Sequence, residues 1–393
     1  MDKREDSRVP GLPGIAGARI TIIVPALGAG GTEHVVNLVA NHWNSIGCTV
    51  TLITLERPDA QPYYDFDPGI AVVRLGVPPR RASKLRSAFL VFQRFARLRS
   101  AIRRSRPDFV LSFLTRTNVL TLLATTGFSI PVVVSERNNP ASQPFGPFWR
   151  RLQASLYPRA FGLVTMTQGA LDHFPSSIRR NGWVIANPVD LPRDWQNRRG
   201  KSILAAVGRL TQQKGFDLLL NAFSRIAEAH PEWRLVIWGE GEDRSGLEAL
   251  RDALGLRERV ELPGITERPG LWIETADAFV LSSRYEGWGI VLLEAMASGL
   301  PVVSFECDWG PRVMITHESD GILVPNGDVE ALAKALDRLL ADRELRERLG
   351  AKAAASAQSY MPEQILAEWD ALASCVLKQA SKKNLRMPNS RSR

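Results

Sequence analysis

The chain has 393 residues, 45% of them hydrophobic, with 50 Lys and Arg against 41 Asp and Glu for a net charge of +9. That length exceeds one ordinary α/β domain and suits two, each burying its own core. No run of about 18 apolar residues is present, which excludes a membrane-spanning helix, and the scattered Cys48, Cys307 and Cys375 fit neither a disulfide framework nor zinc spacing, so a reducing, cytoplasmic setting is expected.

Residues 1–18 mix charge, Pro and Gly without an apolar stretch and read as a disordered leader, not a signal peptide. Short apolar runs then alternate with helical patterns, at 20–26, 49–55, 70–75, 109–114, 131–135 and 162–166, and again at 203–207, 234–238, 259–262, 278–282 and 301–305. Continuously apolar strands separated by helices predict parallel sheets covered on both faces. The turn-rich residues 187–192 and the polar residues 196–201 place a linker near 188–201. The chain therefore divides into a Rossmann-like domain over 19–190, a second over 191–361, a helix over 362–378 with Ile365, Leu366, Trp369, Leu372 and Leu377 on one face, and a basic tail over 379–393.

The first strand ends in a Gly-rich turn, Gly28, Gly30 and Gly31, ahead of a helix. Such a turn admits a ligand to the backbone and to the helix N-terminus, or is simply a tight turn. Glu33 stands where a dinucleotide fingerprint requires Gly or Ala, which disfavours NAD. Asp65 and Asp67 have the spacing of a chelating pair but lie between Pro62 and Pro68, in an expected surface turn; the five histidines show no ligand spacing and are expected at the surface or half-buried. No metal site is expected.

Between Arg80 and Arg106 ten basic residues follow one another without an acid, and six more lie between Lys378 and Arg393. Within the first group, Leu85, Phe89, Phe92, Phe95, Leu98 and Ile102 recur at helical spacing. This is either a cationic amphipathic helix for an anionic membrane surface or a core helix with solvated arginines.

The second half carries the chemistry. Gly208 and Arg209 end a strand, and Lys214-Gly215-Phe216-Asp217 open the next helix. Two cations at the carboxyl end of a parallel sheet suit a diphosphate. Gly239-Glu240-Gly241 closes the following strand. The stretch Ser282 to Gly299 is the most informative: Gly287, Trp288, Gly289 and Ile290 form a glycine-freed helix start, whose amides favour phosphate. Glu286 precedes that helix and Glu294 lies within it. Their eight-residue spacing predicts that both face one side, where a carboxylate can accept a sugar diol.

On these residues the chain resembles the retaining glycosyltransferase family 4, of the GT-B fold, over about residues 19–375. The matching signatures are Gly208-Arg209-Leu210 through Asp217, Gly239-Glu240-Gly241, and Glu286 through Glu294 as the family's Glu-x7-Glu. The resemblance implies two Rossmann-like doubly wound domains facing across a cleft, with the final helix crossing back to the first. It implies catalytic roles for Arg209, Lys214 and Glu286, ribose binding by Glu294, and donor contacts from Gly30, Gly31, Gly208, Gly239, Gly241, Gly287, Trp288, Gly289 and Ile290. It further implies a nucleotide-sugar donor, a UDP-sugar, and no metal or other cofactor. Ser135-Glu136-Arg137-Asn138 and residues 304–311 look like bacterial enzymes of surface polysaccharide or lipid-linked glycan synthesis. That points to a lipid-linked saccharide acceptor and a peripheral place on the inner membrane face. One departure is Val313, where the family often has glutamate; the neighbouring Trp309 and Arg312 bear on the same contacts. The rival readings are another GT-B enzyme such as a sugar-nucleotide epimerase, a non-catalytic sugar-nucleotide sensor, and a basic nucleic-acid-binding protein. The last has only the charge in its favour and no reader motif, so no nucleic-acid partner is expected.

Overall fold

The first strands are apolar on both faces because both faces are covered. β1 (Arg19–Val24), β2 (Thr49–Thr54), β3 (Ala71–Arg74), β4 (Phe109–Phe113), β5 (Val132–Ser135), β6 (Gly162–Thr165) and β7 (Gly182–Val184) form one parallel sheet. Its strand order is β3-β2-β1-β4-β5-β6-β7. Around it lie α1 (Gly31–Ser45), α2 (Lys84–Ser105), α3 (Thr115–Ala124), α4 (Pro147–Leu156), α5 (Gln168–Asp172) and α6 (Ser176–Arg179). The second sheet contains β8 (Ile203–Val207), β9 (Arg234–Trp238), β10 (Val260–Gly264), β11 (Ala278–Leu281), β12 (Val302–Phe305) and β13 (Ile322–Val324), again parallel, in the order β10-β9-β8-β11-β12-β13. It is flanked by α7 (Phe216–Ser224), α8 (Arg244–Ala253), α9 (Ile290–Ala297), α10 (Pro311–Met314), α11 (Val329–Ala341) and α12 (Arg343–Ala357), and α13 (Pro362–Leu385) is the last element described. This computed structural model describes residues 14–77, 84–139, 146–191, 195, 196, 198, 200–268 and 270–385.

Two strands escape the apolar-run reading. β7 and β13 have three residues each, too short for a periodic signal, and join their sheets because the preceding strands offer an unpaired edge. Residues 14–18, grouped with the leader by composition, are packed: Ile15 and Ala18 are buried in the first core, and the Cys48 thiol donates to the Ile15 carbonyl at 3.2 Å. The rest of that leader, residues 1–13, lies outside the described residues, as do Arg80 and Arg81, parts of the linker and the tail beyond 385.

The last helix runs to Leu385, past the expected end at 378. It crosses back onto the first domain, where Ile365, Trp369, Leu372, Ala373 and Val376 join that domain's core. Asp370 accepts from the Trp43 indole at 2.9 Å and bonds the His42 ring at 2.9 Å. Burying such a helix removes Trp369 and its neighbours from water, at about 25 cal/mol per Å² of apolar surface, and ties the end of the chain to its beginning.

Both sheets reverse strand order beside their first strand, between β1 and β4 and between β8 and β11. At such a switch point the two loops leaving the carboxyl ends run to opposite faces and open a crevice. In the second domain those loops are residues 208–215 and 282–289, the two stretches the sequence marks for chemistry.

Candidate active site

Three contacts knit these loops together. Lys214 Nζ lies 2.6 Å from Glu286 Oε1. Gly215 adopts a left-handed φ of 63°, and a Cβ there would sit 2.1 Å from the Ser282 carbonyl, so only glycine permits this approach. Asp217 takes two hydrogen bonds from the Arg284 guanidinium, at 2.8 and 2.7 Å, and these partners hold the Asp217 carboxyl below the usual carboxylate range. Each residue of the Lys-Gly-Phe-Asp run therefore has a structural task, Phe216 filling the core beneath.

Arg209 differs from its neighbours. It is exposed at the carboxyl end of β8, and no carboxylate forms an ion pair with it among the described residues. A cavity of about 420 Å³ lies beside it, lined by Arg209, Gln213, Arg284 and Tyr285 among others. A free guanidinium on the open edge of a switch point is a ready partner for an anion.

Glu286 is 5% exposed, and its Oε1 also accepts from Ser283 Oγ at 2.6 Å. Its carboxylate is thus fixed by one cation and one hydroxyl. Glu294 sits in α9, where burial pushes its carboxyl up to about 8 while the Trp272 indole, donating to it, pulls the other way. The helical argument that grouped these two glutamates needs correction. Gly289, with φ of 94°, caps a helix that begins only at Ile290, so residues 286–289 are not helical and the spacing does not span two turns. Their positions come instead from Lys214 and Trp272.

Several residues assigned to the donor by sequence have packing tasks. A Cβ on Gly239 would lie 1.9 Å from the Gly208 carbonyl, and one on Gly241 2.2 Å from the Leu210 carbonyl. These glycines let the β9 loop support the Arg209 loop from behind. Gly208 accommodates the Lys214 side chain, the nearest atom being 3.0 Å from its would-be Cβ. Trp288 is buried in the core and stands edge-on to Tyr360, with centroids 5.5 Å apart.

The first domain reaches the same place. A Cβ on Gly31 would meet the Ile290 side chain at 3.6 Å, and one on Gly287 the Arg137 carbonyl at 2.9 Å. Gly30 is the N-cap of α1, and the Glu33 carboxylate folds back over it. Burial raises the Glu33 carboxyl, opposed by its own backbone amide and by the charge of Arg209 across the cleft.

Two family models fit this chain: Glycosyl transferase 4-like domain over residues 30–190 and Glycosyl transferases group 1 over residues 190–356. The chain is a family 4-like glycosyltransferase. The amylovoran biosynthesis glycosyltransferase AmsD of Erwinia amylovora is 26% identical over 87% of this chain and 95% of its own. A Campylobacter jejuni α-1,4-N-acetyl-D-galactosaminyltransferase, named for an undecaprenol-diphosphate-linked substrate, is 25% identical over 89% and 97%. Among solved structures, the sucrose-phosphate synthase of Thermosynechococcus elongatus superposes with a TM-score of 0.75 at 18% identity, covering 93% of this chain and 98% of its own. Anabaena HepE, solved with UDP and glucose, gives 0.71 at 17% identity over 94% and 100%. These likenesses establish the GT-B fold.

In this glycosyltransferase several residues around the site carried no sequence signal of their own. Trp272 reaches Glu294 and Arg284 reaches Asp217 across segments distant in the chain, while Ser283 serves Glu286 only three residues on. His34, expected at the surface or half-buried, is buried in the first turn of α1 and stacks on Tyr64 at 5.1 Å, and burial lowers its ring to about 4. His230 is buried as well and bonds Asp337 at 2.8 Å. On the first domain's side, Glu136 is held by Thr115 at 2.7 Å, by Asn118 at 3.2 Å and by the Tyr157 hydroxyl, and burial raises its carboxyl. Arg137 donates to Ser135, the Ile185 carbonyl and Asn187, and burial lowers it to about 9. Asp65 and Asp67 are exposed in a turn, where Asp67 caps the Gly69 amide at 2.7 Å, and no metal-binding cluster is found among the described residues.

Proposed function

We propose that this glycosyltransferase moves a sugar from a UDP-sugar to a lipid-linked or glycan acceptor, with retention of anomeric configuration, in surface polysaccharide synthesis. The observation that carries the reading is the exposed Arg209, without an ion-pair partner among the described residues, on the same β8–α7 loop as Lys214, which pairs with Glu286 ahead of α9. The bond between the anomeric carbon and the diphosphate breaks, and the electron pair stays on the phosphate oxygen. Arg209, Lys214 and the first amides of α9 face that developing charge. The acceptor oxygen attacks from the same face, and its proton passes to the departing diphosphate. Glu286 meets the transferred sugar and Glu294 the ribose hydroxyls, while Gly30, Gly31 and Ile290 line the meeting of the two domains. Fixed charge in a water-poor cleft is worth about 10²–10³ in rate for each donor removed. In this account no metal takes part. The named relatives of polysaccharide and lipid-linked glycan synthesis support the acceptor class, and the UDP-bound neighbours support the donor.

We place the enzyme on the cytoplasmic face of the membrane as a peripheral protein. No helix among the described residues is long and apolar enough to cross a bilayer. The basic helix α2 answers only part of that expectation. Leu98 and Ile102 are core, and Arg94, Arg97 and Arg99 bond backbone carbonyls of neighbouring segments. Among the described side chains, what remains for a surface is Phe92, 65% exposed, with the exposed Arg103 and Arg104, the side chains of Leu85 and Phe89 lying outside those described. α4 adds a second such face: Phe148 is 63% exposed beside Arg150 and Arg151. Aromatic side chains among arginines suit an anionic interface.

The test is nucleoside diphosphate release from a panel of UDP-, GDP- and ADP-sugars, with and without bacterial lipid extract. Release from one donor, increased by lipid, is expected. Conversion of the donor without release would favour an epimerase, and the absence of both reaction and donor-induced stabilisation would overturn the reading.

A further inference from the structure

The loop after β12 carries an outlier. Trp309 has φ of 69°, in the left-handed region that bulky side chains avoid. Such a conformation persists only where surrounding contacts over-determine it, and here they are visible on both sides. Behind Trp309, the loop is pinned to the active site. A Cβ on Gly310 would lie 2.4 Å from the Trp288 carbonyl and 3.2 Å from Glu286 Cβ, and the Cys307 thiol donates to the Ser283 carbonyl at 2.8 Å. Ahead of it, the indole leaves its own domain. A Cβ on Gly169 would lie 2.7 Å from Trp309 Nε1 and 2.8 Å from Cδ1, and the His173 ring stands edge-on to the indole at 5.9 Å. Gly169 and His173 belong to α5 and its C-cap in the first domain. The indole therefore occupies the volume of a side chain that α5 lacks.

We propose that Trp309 is a positioning residue that seats the Glu286 loop of the donor domain on α5 of the acceptor-side domain. The left-handed turn throws the indole across the cleft, the missing side chain of Gly169 receives it, and Gly310 transmits the position to the backbone of residues 286–288. Gly287 against the Arg137 carbonyl, at 2.9 Å from its would-be Cβ, braces the same loop from the opposite side. The consequence is that the two domains are brought into register by a steric fit between Trp309 and Gly169. In its effect on turnover this inference rests on the proposed sugar transfer; the fit itself does not.

The experiment is a double-variant cycle on the full chain: Gly169→Ala, Trp309→Ala and the two together, with Trp309→Phe as a milder probe. Gly169 has an ordinary φ, so alanine perturbs only the contact with the indole. We expect Gly169→Ala and Trp309→Ala each to lower kcat by about ten- to a hundredfold, as small misplacements of reacting groups do. The affinity for UDP, measured by calorimetry, stays within about twofold because those contacts lie within one domain. The double variant is no slower than Trp309→Ala, since alanine at 169 has nothing left to strike, and Trp309→Phe falls between the wild type and Trp309→Ala. Losses that multiply, UDP affinity that falls in parallel with kcat, or unchanged turnover in Gly169→Ala would each overturn the proposal. If the wild type neither turns over nor binds UDP, the functional reading fails, and the cycle is then read in melting temperature. A loss caused by Gly169→Ala in the wild-type background but not beside Trp309→Ala sustains the fit; equal losses in both backgrounds refute it.

Discussion

Replacing Lys214 by Met tests whether the site is built around a buried ion pair. Lys214 Nζ and Glu286 Oε1 are 2.6 Å apart, with side-chain exposures of 15% and 6%. At that separation the attraction is about 6 kcal/mol in an effective dielectric of about 20. Most of this offsets the cost of removing both charges from water, so the net worth of the pair is small. Removing one partner is different, because the Glu286 carboxylate stays where it is with only the Ser283 hydroxyl, at 2.6 Å, to satisfy it. Breaking such a pair costs about 3–5 kcal/mol. For a domain of this size, at about 2–4 °C per kcal/mol, the expected fall in melting temperature of the second domain is about 10 °C. Scanning calorimetry at pH 7.5 reads it, with α13 and the first domain serving as an internal reference. Adding Glu286→Gln to Lys214→Met removes the stranded charge and restores most of the loss, though not activity. A Lys214→Met variant that melts within about 1 °C of the wild type, or a double variant no better than the single, would refute the reasoning.

The other expectations follow from the same geometry. Arg209→Ala removes an exposed cation with no carboxylate partner among the described residues, so stability changes by less than about 0.5 kcal/mol while kcat for donor turnover falls by about 10²–10³. Burial keeps Glu294 protonated up to about pH 8 against an ordinary value of 4.5. Between those two pH values the unfolded chain has released a proton that the native state retains, so native stability falls as pH rises and levels off above the upper value. Glu294→Gln abolishes that slope: it matches the wild type near pH 4.5 and exceeds it at pH 8 by about 2–4 kcal/mol, at about 1.4 kcal/mol per pH unit, as urea unfolding at the two pH values will show. Phe148→Ser weakens flotation with vesicles containing anionic lipid at moderate salt and leaves UDP binding unchanged; equal flotation would remove α4 from the membrane-facing surface. EDTA leaves turnover unaltered if the charge of the leaving diphosphate is borne by Arg209, Lys214 and α9, and a loss restored by added divalent metal would contradict that account.

Fold class was legible from local pattern. Strands covered on both faces must be apolar throughout, and the runs ending at Val207 and Leu281 showed this before any packing was known. The Lys-Gly-Phe-Asp run and the Glu-x7-Glu stretch were grouped as one donor site through their resemblance to the family 4 signatures, and the structure brings Lys214 and Glu286 of the two stretches together. Three-residue strands such as β7 and β13 left no periodic trace, and the true extent of α13 was hidden by its polar continuation, where Lys378, Gln379, Ser381 and Lys382 are exposed.

What tertiary structure decided was which of the marked residues pack against one another. Sequence placed Gly239 and Gly241 with the donor, but their missing side chains receive the backbone of residues 208–210. It grouped Glu286 with Glu294 by helical spacing, but the left-handed Gly289 breaks the helix between them and Lys214 and Trp272 set their positions. It linked Trp309 to the donor contacts of the neighbouring Val313, but could not show the packing of its indole on Gly169, which is 140 positions away. Sequence by itself determined the two parallel-sheet domains and the glycine-rich loops at their strand ends, since those follow from the period of apolar residues and from glycine's backbone freedom. Only the tertiary structure decided how the domains meet, because steric fits and buried ion pairs form between segments whose separation along the chain carries no signal.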